Sequence, residues 1–351
     1  MLETSRISCP ILRKKVMTAE GAAELIPAGA NVGMSGFTGA GYPKAVPQAL
    51  AERIRKHNAQ GNSPFRINVW TGASTAPELD GTLAEVDGIE MRLPFQSDPI
   101  CRDRINSGKM DYVDLHLSEV SQNAWSGFLG KMDIALIEVA GIREDGSLIP
   151  SSSVGNNKTW IEQADKVIIE VNSKQNIKLE GMHDIYYGTA MPPNRKPILM
   201  NHPADRIGEN YLRCPAEKVI AVVETNSPDR NTPFKAPDAV SVKIADHILE
   251  FFQKEIEIGR LPNNLLPIQS GVGNIANAVL EGLNNGPFKN LTAFTEVIQD
   301  GMLKMLKSGT LDVASATAFS LSPDGLEEFD KNIDLYREKI ILRQQDISNH
   351  P

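Results

Sequence analysis

The chain has 351 residues, 41% of them hydrophobic and 23% charged, with a formal net charge of -8 at pH 7. That length and apolar content suffice for a sizeable core and point to two domains, while the negative charge argues against a nucleic-acid partner, which would need a basic stripe facing its phosphates. Cys9, Cys101 and Cys214 are too few and too scattered for a disulfide framework or a zinc site, which fits a reducing, cytoplasmic setting. No apolar run approaches the roughly 20 residues needed to cross a bilayer, and Glu3 and Glu20 interrupt any transit-peptide pattern around Arg13-Lys14-Lys15.

In chain order, residues 18–26 read as a short helix, with Thr18 as N-cap and Gly29 as its stop. Residues 31–37 form a strand that runs into the loop Thr38-Gly-Ala-Gly-Tyr-Pro-Lys44, and Val46, Leu50 and Ile54 then recur at helical spacing over 45–56. Residues 66–71 give the next strand, ending at 72–75, with a helix-like segment over 79–85. Strand-like runs recur at 89–93, 112–115, 134–139 and 166–171 with helical or looped segments between them, the pattern of a buried, largely parallel sheet flanked by helices. Asp145-Gly146 marks a turn between Ile142 and Leu148, and so a small antiparallel hairpin. Residues 182–215, rich in Pro, Asn, His and Arg, read as a long connection.

A second block opens with a strand at 218–224, a Pro- and Asn-rich loop over 225–237 and an amphipathic helix over 241–259. The turn Gly271-Val272-Gly273 leads into a helix over 274–283, a strand at 291–296, a helix at 301–307 and strands at 311–318 and 339–342. Residues 346–351 give no helix stop, tail or cap, the pattern of a truncated end. The expectation is an α/β protein with a division into residues 1–215 and 216–351.

Four features carry candidate chemistry. Gly36, Gly39 and Gly41 lie between a strand and a helix, where a doubly wound sheet binds its ligand, but their spacing is neither a dinucleotide fingerprint nor a P-loop. A ligand cradle and a plain chain reversal both remain open. The same two readings hold for Gly271-Val-Gly-Asn274 at a helix start. Arg230, in a loop after a strand, has a guanidinium suited to clamp a carboxylate or simply to face water. Glu296 ends an apolar run at the sheet edge, where a carboxylate can attack a carbonyl; spacing alone favours the other reading, a solvated glutamate capping the next helix near Asp300. The serines at 151–153 read as turn residues and the three tryptophans as packing residues.

Five segments, taken in order, carry a resemblance: Ser35-Gly-Phe-Thr-Gly-Ala-Gly-Tyr-Pro-Lys-Ala-Val-Pro47, Asp145-Gly-Ser-Leu-Ile-Pro150, Lys166-Val-Ile-Ile-Glu-Val-Asn172, the run 259–279 through Gln269-Ser-Gly-Val-Gly-Asn274, and Thr295-Glu-Val-Ile-Gln-Asp-Gly301. Together they resemble the acetyl-CoA hydrolase/transferase family, a branch of the class I CoA-transferases. The resemblance implies two tandem CoA-transferase-type (NagB/RpiA-like) domains with mainly parallel sheets flanked by helices, the second incomplete, and a site in the cleft between them. It implies Glu296 as a nucleophile that forms a glutamyl-CoA thioester, Arg230 and Asn349 at the substrate carboxylate, and Gln269, Gly271, Gly273, Asn274, Gly39 and Gly41 around CoA. It further implies an acyl-CoA and a small carboxylate as partners, no metal, no cofactor beyond CoA as substrate, and a homodimer. Family members continue past Pro351 through a glycine-rich loop and a further active-site glutamate that this sequence lacks. An acyl-CoA hydrolase and a non-catalytic ligand-binding homologue are the alternatives.

Overall fold

The structure is a computed structural model that describes residues 6–61, 63–73, 76–230 and 235–350. Residues 74 and 75 of the expected strand end, 231–234 of the expected loop, and Pro351 lie outside the described residues.

Short apolar runs make the strands. Up to residue 225 these are β1 (Asn31–Met34), β2 (Ile67–Trp70), β3 (Ile89–Leu93), β4 (Asp111–Tyr112), β5 (Met132–Ile142), β6 (Leu148–Pro150), β7 (Ala164–Asn172), β8 (His183–Asp184) and β9 (Val219–Thr225). The rest are β10 (Leu291–Phe294), β11 (Val297–Ile298), β12 (Leu311–Ala316), β13 (Ala318–Phe319) and β14 (Ile340–Arg343). The large sheet has the order β4-β3-β2-β1-β5-β7-β9, all parallel, with β6 antiparallel on β5 through the turn at Gly146. β5 and β7 are buried along almost their whole length, as parallel strands covered on both faces by helices must be. A smaller parallel sheet has the order β10-β12-β14-β8, and β11 pairs with β13 beside it.

The two sheets do not divide at 215/216. β9 completes the edge of the large sheet, whereas β8, inside the expected connection 182–215, pairs with β14 of the small sheet. That pairing is pinned by a fully buried Arg343, whose guanidinium bonds Asp184 and donates to Pro203 O at 3.0 Å. One hydrophobic core spans both sheets, joining Trp70, Ile137 and Trp160 to Leu291, Leu303 and Leu342. Burial therefore couples the halves, and chain order does not separate them.

Several elements escaped the periodicity. Pro99–Asn106 is a helix begun by Asp98, which accepts from Ile100 N and Cys101 N, and Pro323–Lys331 is one capped by Ser322. Residues 345–348 form a helical turn where the sequence offered no helix, because it is held by tertiary contacts: Gln345 N donates to Gly155 O at 2.8 Å and Gln345 Nε2 to Leu117 O at 2.6 Å.

Residues 151–156, after β6, form a strap between the sheets. Toward the small sheet, Val154 N donates to Thr317 O at 2.9 Å, Gly155 N to Thr317 Oγ1 at 3.1 Å, and Ser152 O accepts from Phe319 N at 3.0 Å. Toward the large sheet, Ser153 Oγ donates to Ala40 O at 3.0 Å and Asn156 Nδ2 to Thr71 O at 3.2 Å. The helix Asn157–Gln163 then buries Trp160 against Trp70, with ring centroids 6.3 Å apart. Gly41 is pressed into this strap at φ +64°, and a Cβ there would lie 2.8 Å from Ser151 Oγ and closer still to Ser153 Oγ. Gly41→Ala combines left-handed backbone strain with overpacking and is expected to cost about 2–4 kcal/mol, read as a lower urea midpoint with an unchanged slope.

Candidate active site

A cavity of about 590 Å³ opens where the glycine loop after β1 faces the β11 and β13 pair. Glu296, Gly39 and Arg230 line it, and Phe319, Leu326 and Phe329 give it an apolar wall.

Glu296 sits in the bend between β10 and β11, half-buried. Its backbone carbonyl accepts from Thr317 N at 2.9 Å and Ala318 N at 3.3 Å, and Thr317 is held by the strap. Asn349 Nδ2 donates to Glu296 Oε1 in a short hydrogen bond. The carboxylate is thus steered from the far end of the chain. Asp300–Ser308 starts from Gln299 without a side-chain cap, so the helix-capping reading of Glu296 does not describe this geometry.

The turn before it is stitched to the same strand. Ile268 N donates to Thr292 O at 2.8 Å, Phe294 N to Ile268 O at 3.0 Å, and Thr295 Oγ1 to Ser270 O at 3.2 Å. Gln299 Nε2 holds Gly271 O at 2.7 Å, and Gly273, at φ +138°, opens the helix Asn274–Asn285. From this turn Val272 lines the cavity, while Gln269, Gly271, Gly273 and Asn274 are exposed beside it. On the opposite wall Arg230 N donates to Gly39 O at 2.9 Å. A Cβ on Gly39 would fall 2.6 Å from Arg230 O, so the close approach of the two loops demands glycine there. The Arg230 guanidinium is half-exposed, with Glu78 Oε1 at 3.7 Å. Gly41 lies behind the cavity lining and donates its N–H to Asp229 Oδ1 at 3.1 Å.

Beneath the cavity runs a buried ionic network that sequence reasoning did not find. Lys44 Nζ lies 2.5 Å from Glu138 Oε2 and 3.0 Å from Asp229 Oδ1 and donates to Tyr42 O at 2.9 Å. Asn172 Nδ2 donates to Glu138 Oε2 at 2.9 Å, and Gln175 Nε2 bridges Glu138 Oε1 at 3.1 Å and Asp229 Oδ2 at 3.0 Å. Ser152 Oγ donates to Asp229 Oδ2 in a short bond. Glu170, also buried, accepts from the amides of Lys44, Ala45 and Val46 and so caps the helix Ala45–Ala59, which has no side-chain cap of its own. The traces in the sequence are slight: Lys44 closes the glycine motif and Asp229 adjoins Arg230.

The electrostatics follow from placement. Burial pushes the Glu138 carboxyl up to about 7, more than Lys44 pulls it down. Burial also raises Asp229, but Lys44, Ser152 and Gln175 outweigh it and hold this carboxyl below its ordinary value. Lys44 is opposed by burial and held above its usual range by Glu138 and Asp229.

Residues 11–224 match the model of the acetyl-CoA hydrolase/transferase N-terminal domain. The chain is 47% identical to the succinyl-CoA:acetate CoA-transferase of Clostridium kluyveri, over 97% of this chain and 62% of that relative. It is 42% identical to the acetyl-CoA hydrolase of Neurospora crassa, over 99% of this chain and 66% of the relative. It superposes on RipA from Yersinia pestis with a TM-score of 0.69 at 18% identity, over 96% of this chain and 70% of that one. The chain therefore spans less than two thirds of the length of these two curated relatives.

The carboxyl of Glu138 generates a stability prediction. Its folded value of about 7 lies above the ordinary 4.5, so the stability it contributes is present below 4.5 and is lost as pH rises through 7. Relative to Glu138→Gln, which cannot titrate, wild-type stability should fall between pH 4.5 and 7 and then level off, as measured by urea unfolding across that range.

Proposed function

Because the chain belongs to the acetyl-CoA hydrolase/transferase family, we propose that it moves CoA between an acyl-CoA and a small carboxylate through a covalent thioester on Glu296. The observation that carries this reading is a carboxylate at the cavity wall, oriented by Asn349 through Oε1, with Arg230 lining the same space. The named activity of the Clostridium relative suggests succinyl-CoA as donor and acetate as acceptor.

The chemistry conserves the thioester. A Glu296 oxygen attacks the thioester carbonyl, the C–S bond breaks, and CoA leaves as thiolate, giving a mixed anhydride. The thiolate attacks the glutamyl carbonyl and releases the donor's carboxylate, leaving glutamyl-CoA. An acceptor carboxylate then attacks that thioester and expels the thiolate, which takes the acyl group from the second anhydride and frees Glu296. No water is consumed. Asn349 fixes one carboxylate oxygen and leaves the other to attack, Arg230 offers a bidentate partner to the substrate carboxylate, and the Phe319, Leu326 and Phe329 wall excludes water from the intermediate. The exposed turn of Gln269, Gly271, Gly273 and Asn274 suits the pantetheine arm, with Val272 at the cavity edge, and Gly39 and Gly41 belong to the facing loop.

The name of the Neurospora relative favours a second reading, hydrolysis of the glutamyl intermediate by water. Among the described residues no helix is long and apolar enough to cross a membrane, and no group of three or more His, Cys, Asp or Glu side chains converges as for a metal. Free Cys9, Cys101 and Cys214 support a cytoplasmic setting, and the homodimer implied by the family is open to light scattering.

With succinyl-CoA and acetate, acetyl-CoA should form, and mass spectrometry should find CoA attached to Glu296. Glu296→Ala should abolish both, lowering turnover by at least about a thousandfold. Thiol release indifferent to acetate would select the hydrolase, and absence of any Glu296 adduct would sink the enzymatic reading.

A further inference from the structure

The guanidinium of Arg230 is loosely paired, at 3.7 Å from Glu78, yet the backbone that carries it is tightly held. The residue before it does the holding. The Asp229 carboxylate accepts from Gly41 N, Lys44 Nζ and Gln175 Nε2 at 3.0–3.1 Å, and from Ser152 Oγ. Those partners come from the glycine loop, the start of the helix Ala45–Ala59, the segment after β7 and the strap. Arg230 N in turn grips Gly39 O at 2.9 Å, so two bonds, one on each side of Ala40, clip the loop at 228–230 to the glycine loop.

We propose that Asp229 is a positioning residue for carboxylate recognition: clamped by Lys44, Gln175 and Ser152, it seats the 228–230 loop against Gly39 and Gly41 and so aims Arg230 into the cavity that Glu296 lines. This rests on Arg230 receiving the substrate carboxylate, as proposed above. An ionised Asp accepts all four donors across its two oxygens; the single oxygen of Asn cannot. It would also leave Lys44 buried against one carboxylate partner in place of two.

The clamp has a competitor. Glu138 shares Lys44 and Gln175 with Asp229. Protonated, Glu138 leaves the ammonium to Asp229; ionised, it draws Lys44 away and puts a second negative charge behind the cavity. The other titratable groups facing the cluster are Glu170, engaged with the helix amides, and Tyr42, whose hydroxyl donates to Glu78 at 3.0 Å. Carboxylate affinity therefore weakens as pH rises through about 7, where Glu138 ionises.

The test uses the 351-residue chain and its Asp229→Asn variant. Hydrogen exchange at the Gly41 and Arg230 amides should quicken by about tenfold or more while Ile137 and Ile169 amides keep their protection. The KM for acetate should rise by about tenfold or more, with glutamyl-CoA formation from succinyl-CoA kept within about threefold. Wild-type KM for acetate should climb through pH 7 and stay flat in Glu138→Gln. Should Asp229→Asn fold poorly, Ser152→Ala, which keeps both charges, should move the same two amides in the same direction by a smaller factor. Unchanged protection of Gly41 and Arg230, or equal loss of both half-reactions, overturns the positioning role. If the exchange result holds but no wild-type adduct forms, the clamp stands and the transferase reading falls.

Discussion

The geometry of the molecule depends on Thr317. Its backbone N–H binds the carbonyl of Glu296, while its own carbonyl and hydroxyl receive the amides of Val154 and Gly155. One residue thus fixes the backbone of Glu296 to the strap, and the strap reaches through Ser153 to Ala40 and through Asn156 to the end of β2. The two cavity walls come from different sheets, and this chain of bonds, with those of Phe319 N to Ser152 O and Gln345 N to Gly155 O, sets their separation. Catalytic groups need placement within fractions of an ångström, which hydrogen-bonded backbone supplies better than packed side chains do.

A second constraint is charge held without solvent. Lys44, Glu138 and Asp229 place one ammonium between two carboxylates in the interior, an arrangement whose desolvation cost is large unless every polar atom is matched. Here amides of Asn172 and Gln175 and the hydroxyl of Ser152 complete the set. Such a cluster is a poor way to gain stability and an effective way to gain a unique loop conformation, because any slip of the loop leaves a buried charge unpaired.

The sheet was largely legible from the sequence because buried parallel strands are short apolar runs: the expected strands at 89–93, 134–139, 166–171, 218–224 and 339–342 match β3, β5, β7, β9 and β14 closely. What was not legible was held by distant partners. Gln345–Ser348 is helical because Gly155 and Leu117 take its donors, and β8 is two residues long, recognisable only beside β14. The place of β9 was not legible either: it follows the long connection 182–215, and hydrogen bonding to β7 puts it in the large sheet. At the site, Glu296 and Arg230 had candidate status from their positions after strands. Spacing could not rank Glu296 above a helix cap, since the partner that decides, Asn349, is 53 residues away. Lys44, Glu138 and Asp229 looked like ordinary loop and strand charges, as their meaning lies in one another.

The exchange of β8 into the small sheet has a consequence for synthesis. Asp184 leaves the ribosome 159 residues before Arg343, the cation that neutralises it in the folded state. Until β14 is made, the segment around His183 and Asp184 has neither its strand partner nor its counter-charge, so the large sheet can assemble early around β5 and β7 while this edge waits in water. Assembly of the second sheet is a late event that closes a long loop, and the nascent chain must keep that edge soluble while the 159 residues from Asp184 to Arg343 are made.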